Sequence, residues 1–174
     1  MHACVAANFL SEFGGYLRVP LARAALVEPA AAPTLASPVS PRLGWTILYV
    51  ANVARSRAFY VAALGLRPGT SAPPGSDAPV FAEFETGSTR LALCSRELAA
   101  SNFSSPAFFS PASLDAPAQA SEVAIVVADV PSAFARAVEA GAVAAEPPKT
   151  KPWGQLVSYI RDLDGHVVEI CSEM

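Results

Sequence analysis

The sequence predicts an α+β fold in which one structural unit occurs twice. Two apolar stretches carry the same pattern 77 residues apart, so that Val50 matches Val127. The same spacing returns further along, where "LALCSR" aligns with "VEICSE" and places Cys94 on Cys171. Two separated matches at one spacing indicate an internal repeat. Convergent strand composition in an alanine-rich chain is the alternative.

Each copy opens with an apolar strand that leads into an amphipathic helix. In the first copy, Asn52 occupies the capping position before the helix and Gly65 supplies a left-handed stop after it. In the second copy, Asp129 caps the helix, Pro131 lies in its first turn and Gly141 follows its end. Both stretches therefore predict a strand followed by a helix.

A proline-rich connection and a β-hairpin complete each copy. The connections are "RPGTSAPPGSDAP" and "EPPKTKPWG", in which prolines remove backbone donors. The hairpin turns are "ETGST" and "DLDGH". Both copies therefore have the order β-α-β-β, and each connection has room for one more strand.

The repeat occupies only part of the chain. Residues 1–42 are rich in alanine and proline and are expected to form a flexible extension, although residues 7–26 have the apolar content of a short helix. The remainder, 43–174, is expected to be one domain. Its predicted parts are module one at 43–97, a linker at 98–120 and module two at 121–174.

Charge and cysteine content argue against several functions. The net charge of -3 and the pI near 5.3 provide no cationic surface for phosphates, so neither nucleic acid nor an anionic membrane is an expected partner. Three cysteines without C-x-x-C spacing indicate neither a disulfide framework nor a structural zinc site. The sequence has no apolar run of about 18 residues. We therefore expect a cytoplasmic protein whose partner is a small molecule.

Two segments carry a resemblance to a known family. "LYVANVARSRAFYVAALGL" is similar to the opening strand and helix, and "PWGQLVSYIRDLDGHVVEIC" to the closing hairpin, of the vicinal oxygen chelate superfamily. That superfamily includes glyoxalase I, the bleomycin-resistance proteins and extradiol dioxygenases. The resemblance implies two βαβββ modules, the glyoxalase/bleomycin-resistance fold, whose curled mixed sheets surround a shared cavity, and a homodimer.

The resemblance also implies where a metal would bind. Members that hold a metal use four side chains, and those positions correspond to Trp45, Ala92, Glu122 and Glu169. A divalent site of this type needs three or four nitrogen or oxygen donors, and Trp45 and Ala92 supply none. We therefore expect no cofactor. The alternative is a divalent metal held weakly by Glu122, Glu169 and water.

Strand alternation predicts the lining of the cavity. If the two glutamates point inward, the following residues do so as well: Trp45, Ile47, Tyr49, Ala92, Cys94, Ala124, Val126 and Cys171. Trp153, between Pro and Gly, is expected either to close over a ligand or to anchor its loop in the core. Phe103, Phe108 and Phe109 of the linker either cover the cavity or are buried at a dimer interface.

This lining favours a metal-independent protein that binds a small aromatic or cationic ligand. One alternative is a metal-dependent lyase, isomerase or dioxygenase that uses Glu122 and Glu169. Another is a dimeric scaffold that binds no ligand. Glu169 is the candidate catalytic residue, as a proton acceptor, provided that the two glutamates lie close together and partly buried. The sequence leaves open whether the chain is an enzyme.

Overall fold

The computed structural model describes residues 40–69 and 79–174. The extension predicted at 1–42 lies almost wholly outside the described residues, as does the short helix expected within 7–26. Most of the first proline-rich connection also lies outside them. The chain divides into two units, Met1–Ser40 and Pro41–Met174, and both modules belong to the second unit.

Module one has the predicted order of elements. They are β1 (Trp45–Val50), α1 (Val53–Leu64), β2 (Phe81–Phe84) and β3 (Arg90–Ser95). Within the described residues β3 pairs with β1 in parallel and with β2 in antiparallel fashion. The side chain of Asn52 accepts the N–H of Arg55, and Gly65 ends α1 at φ 71°. Both predicted caps of this helix are therefore confirmed.

The linker between the modules contains regular structure that the sequence did not predict. It opens with α2 (Arg96–Ser101) and then forms a short 3-10 turn at Pro106–Phe108. The side chain of Ser95 caps α2 by accepting the N–H of Leu98 at 3.2 Å. The chain therefore continues from β3 directly into a helix and not into an irregular coil.

Module two shows the full βαβββ order. Its elements are β4 (Glu122–Val126), α3 (Val130–Glu139), β5 (Val143–Thr150), β6 (Leu156–Arg161) and β7 (Val167–Cys171). The strands lie in the order β4-β7-β6-β5, with β4 and β7 parallel and the other pairs antiparallel. Asp129 caps α3, and Gly141 lies just beyond its end at φ 104°. The fold is thus mixed α+β with two open sheets, as predicted.

The additional strand of module two runs through the proline-rich connection. Strand β5 includes Pro147 and Pro148, and its pairing with β6 has register shifts before and after Glu146. Proline cannot donate to a sheet ladder, but it is tolerated on an edge strand and at bulges. In module one, Pro68 forms an isolated bridge with Phe84, and residues 70–78 lie outside the described part of the chain.

The core lies between the helices and one face of each sheet. Every second strand residue that was expected beneath the helices is buried or partly buried there; these residues are Leu48, Val50, Leu91, Leu93, Ile125, Val127, Val168 and Ile170. The other face of each sheet is therefore the one available to a site. In the part of the chain that the structure describes, no helix is long and apolar enough to cross a membrane.

Candidate functional site

The inner face of module one combines aromatic and buried small residues. Strand register places Ile47 opposite Ala92 and Tyr49 opposite Cys94. Ala92 and Cys94 are buried, whereas Trp45 is 54% exposed at the start of β1. Burial raises the pKa of Cys94. This thiol therefore stays protonated near neutral pH, which disfavours a nucleophilic role.

A buried carboxylate on this face, Glu83, was missed by the sequence reasoning. Its side chain is 4% exposed, and it accepts the indole N–H of Trp45 at 2.8 Å. Arg90 forms an ion pair with the same carboxylate at 2.5 Å. Glu83 lies opposite Ala92 in the sheet, so period-two alternation across β2 could have found it. The indole of Trp45 is thereby held by its own module.

The inner face of module two is acidic. Glu169 lies opposite Ala124 on one side and Tyr159 on the other, and the hydroxyl of Tyr159 donates to Glu169 at 2.7 Å. This hydrogen bond is the main reason why the pKa of Tyr159 rises to about 12. The ammonium of Lys151 lies 5.1 Å from the centre of the Tyr159 ring. Glu169 is therefore already engaged by a neutral phenol.

The thiol of Cys171 lies beside this pair. Burial is the main reason why its pKa rises to about 11, and a hydrogen bond with Glu169 and the charge of Glu122 act in the same direction. Both glutamates thus influence one thiol, although Glu122 is exposed at the start of β4 and Glu169 is only partly buried. The thiol of Cys171 therefore stays protonated near neutral pH, which disfavours a nucleophilic role.

A cavity of about 280 Å³ lies where the two modules meet the linker. Its aromatic side consists of Tyr49 and three linker phenylalanines, Phe103, Phe108 and Phe109. The rings of Tyr49 and Phe109 have centroids 5.5 Å apart, and Phe103 stacks on Phe109 at 6.2 Å. The three phenylalanines therefore line this cavity, and their burial at a dimer interface stays a prediction.

Polar residues also line the cavity. They include Glu122, Gln119 and His166. The Nε2 atom of His166 lies 3.1 Å from the carbonyl oxygen of Tyr49, and Gln119 donates to the carbonyl of Ser110 at 3.1 Å. Among the described residues that line this cavity, Glu122 is the one with a carboxylate. The lining of the cavity therefore combines aromatic rings with one acidic residue.

Two arginines hold the linker over the cavity. Arg161 donates to the carbonyl of Ser113 at 2.5 Å, and Arg96 donates to the carbonyl of Ala112 at 2.9 Å. Arg96 also pairs with the buried Asp164 at 2.9 Å. The backbone of Ser113 packs so closely on Gly165 that a Cβ there would lie 2.7 Å from its carbonyl carbon. The linker is thus fixed to the "DLDGH" turn.

The same turn joins the two modules through buried hydrogen bonds. Asp162 accepts the hydroxyl of Tyr60 at 2.8 Å, and Asp164 accepts the N–H of Ala51 at 2.7 Å and the hydroxyl of Ser56 at 3.1 Å. Burial, followed by the charge of Asp162, raises the pKa of Tyr60 well above its usual value. A turn that the sequence predicted only as a hairpin therefore fixes β1 and α1 against module two.

The sequence pattern of the Glyoxalase/Bleomycin resistance protein/Dioxygenase superfamily matches residues 42–170. The chain belongs to this superfamily. No curated protein matches the chain.

Solved structures share the fold of this superfamily member. TioX from a Micromonospora species is 24% identical, with a TM-score of 0.55 and a match that covers 77% of this chain and 100% of that one. A protein of unknown function from Agrobacterium tumefaciens is 25% identical, with a TM-score of 0.61 and coverages of 79% and 98%. A glyoxalase-related enzyme from Fulvimarina pelagi is 21% identical, with a TM-score of 0.60 and coverages of 76% and 88%. These likenesses support the fold and assign no ligand.

The donor atoms of this superfamily member do not fit a four-ligand metal site. Trp45 donates its N–H to Glu83, and Ala92 has no donor atom. Among the residues that the structure describes, no group of three or more His, Cys, Asp and Glu side chains is arranged to hold a metal ion.

The predicted site residues fall into two groups. Ile47, Tyr49 and Glu122 line the cavity under the linker. The remaining ones do not line it: Trp45, Ala92, Cys94, Glu169 and Cys171 lie on the sheets, and Trp153 lies in the turn between β5 and β6. Trp153 is 61% exposed and donates to Gln155 at 3.0 Å, so it does not anchor its loop in the core of this unit.

Proposed function

We propose that this chain binds a small aromatic ligand with a cationic group in the cavity under the linker, without a metal. The observation that carries the proposal is the cavity itself, which is lined both by aromatic rings in mutual contact and by the acidic residue Glu122. Its volume of about 280 Å³ lies near the lower end of ligand pockets, about 300 Å³. A ligand of one or two rings suits that volume.

The aromatic side favours a flat or cationic group. Tyr49 and Phe109 offer ring faces and edges for stacking, and a cation near such a face gains about 0.5–2 kcal/mol. Phe108 is exposed at the same cavity and is available to a ligand that enters from solvent. This side therefore supports affinity for the apolar part of the ligand.

Glu122 supports selectivity for positive charge. It lies at the start of β4, and the chain as a whole has a net charge of -3. Both properties disfavour anionic ligands and attract cations over the range of salt screening. A protonated amine within reach of Glu122 would form a charge-assisted hydrogen bond.

Titration calorimetry with tryptamine and indole-3-acetate tests the proposal. We expect tryptamine to bind and indole-3-acetate, which has the opposite charge on a similar ring, to bind at least about tenfold more weakly. Glu122→Gln should reduce the affinity for tryptamine about tenfold, the equivalent of one charge-assisted hydrogen bond. Glu139→Gln, an exposed change on α3, is the matched control.

Two results would overturn the proposal. One is the absence of binding by any aromatic amine in a broad panel, which favours a scaffold. The other is a stoichiometric divalent ion in the purified protein that is lost on Glu169→Ala, which favours the metal-dependent enzyme.

We also propose that the protein forms a homodimer through the inner faces of its sheets. Large apolar side chains are exposed there, among them Trp45, Ile47 and Val126. Exposed apolar patches often mark protein–protein interfaces. Sedimentation equilibrium should give twice the mass of 18.0 kDa. A monomer at micromolar concentration would contradict this proposal.

A further inference from the structure

The cavity under the linker is bordered by the edges of two strands. Consecutive residues of β1, 46–49, line one side of it, and residues 121–123 at the start of β4 line another. In the described part of their sheets β1 and β4 both lie at an edge. An edge strand presents backbone N–H and C=O groups that its own sheet does not use.

Hydrogen bonds show which residues of β1 face outward. The carbonyl of Gly44 accepts the N–H of Arg90, so the even-numbered residues bond to β3. The carbonyl of Tyr49 instead accepts His166, and the N–H of Ala51 donates to Asp164. Ile47 therefore points its N–H and C=O away from β3, on the same edge as Tyr49.

A hydrogen bond also shows which residues of β4 direct their backbone groups outward. The N–H of Val127 donates to the carbonyl of Cys171, so the odd-numbered residues bond to β7. Glu122 and Ala124 consequently direct their backbone groups away from β7. At the cavity, Ile47 on one strand and Glu122 on the other thus expose backbone donors and acceptors.

Two backbone groups on this outward edge already have side-chain partners, whereas the N–H and C=O of Ile47 have none among the described residues. His166 satisfies the carbonyl of Tyr49, and Asp164 satisfies the N–H of Ala51. Among the residues that the structure describes, none bonds to the outward N–H or C=O of Ile47. A ligand in the cavity can satisfy both of these groups only if it carries an acceptor and a donor side by side.

From this arrangement we infer that the ligand carries an amine and a carbonyl on one carbon atom, and that these two groups pair with the C=O and the N–H of Ile47 as one residue of an added strand does. The inference rests on the proposed function and names its ligand class: an aromatic α-amino carbonyl compound of about the size of one amino-acid residue. The aromatic group lies against Phe109, the amine donates to the C=O of Ile47, and the carbonyl accepts the N–H of Ile47. The cavity volume of about 280 Å³ suits a ligand of this size.

Phenylalanine N-methylamide and phenethylamine form the decisive pair of probes, because phenethylamine keeps the ring and the amine but lacks the carbonyl. In calorimetric titrations of the full chain at about pH 6, where both amines are protonated, we expect the N-methylamide to bind about three- to tenfold more tightly, the value of one neutral hydrogen bond. Equal affinities would refute the inference and leave the proposed function intact. If neither probe and no aromatic amine binds, both proposals fail.

Amide hydrogen exchange of the labelled protein tests the position of the contact. The N–H of Ile47 should exchange faster than that of Leu48 in the free protein and become protected at saturating phenylalanine N-methylamide. Leu48, whose N–H is within the β1–β3 ladder, is the internal control because its protection should not depend on the ligand. Unchanged exchange of Ile47 at saturation would refute the inference.

Discussion

The contact between Gly165 and Ser113 predicts a specific loss of stability when a methyl group is added. Gly165 has φ 96°, and a Cβ at this position would lie 2.7 Å from the carbonyl carbon of Ser113 and 2.9 Å from its oxygen. These atoms are backbone, so they cannot rotate away. Gly165→Ala must therefore move the linker, the turn or both.

The structure contains a matched control for this substitution. Gly87, in the corresponding hairpin of module one, has the same φ of 96°, but no atom lies within 4 Å of the Cβ that an alanine would add. Both variants should lose about 1–2 kcal/mol because an L-residue is placed in the left-handed region. Gly165→Ala should lose about 1–3 kcal/mol more, as overpacking typically costs.

Urea unfolding followed by circular dichroism measures this difference, since the midpoint shifts in proportion to the free energy of unfolding. The affinity for tryptamine should fall only in Gly165→Ala, because Ser113 adjoins the linker residues Pro111 and Ala112 that line the cavity. If the two variants unfold at the same urea concentration and bind equally, the turn does not hold the linker as described.

Further predictions concern an ion pair and a phenol. Arg96→Met should lower the free energy of unfolding by about 2 kcal/mol in urea, because it leaves the buried carboxylate of Asp164 without its ion-pair partner. Arg67→Met breaks an exposed ion pair at 3.9 Å and should lower it by less than about 0.5 kcal/mol. Equal losses in the two variants would contradict a structural role for the Arg96–Asp164 pair. Ultraviolet titration should show one tyrosine, Tyr159, ionising near pH 12, and Glu169→Gln should lower its pKa toward 10. Because folding raises the pKa of Tyr159, the stabilisation from this pair is complete below about pH 10 and is lost as the pH rises through about 12. No change of this pKa in Glu169→Gln would refute the pairing.

Much of the fold followed from local signals in the sequence. The 77-residue spacing showed which strands of the two modules correspond to each other. The capping residues Asn52 and Asp129 predicted where the helices begin. For β5 the residues indicated only that the connection with Pro147 and Pro148 had room for one more strand, because whether proline is tolerated depends on which strand lies at the edge, and that is decided by tertiary pairing.

Less of the candidate site could be derived. Alternation placed Ile47, Tyr49 and Glu122 at the inner faces, but the position of the phenylalanine-bearing linker depends on backbone hydrogen bonds from Arg96 and Arg161. Such contacts to carbonyl oxygens leave no pattern in a single sequence, since any residue supplies the acceptor. That β1 lies at an edge of its sheet could be known only from the strand order, which the sequence does not give.

We propose that the ligand binds under the linker and not at the four positions that correspond to metal ligands, Trp45, Ala92, Glu122 and Glu169, taken together. Chemical-shift mapping of the labelled full chain with tryptamine tests this proposal most directly. We expect saturable shifts concentrated at Tyr49, Phe109 and Glu122. Saturable shifts confined to Ala92 and Glu169, with the linker unaffected, would contradict it.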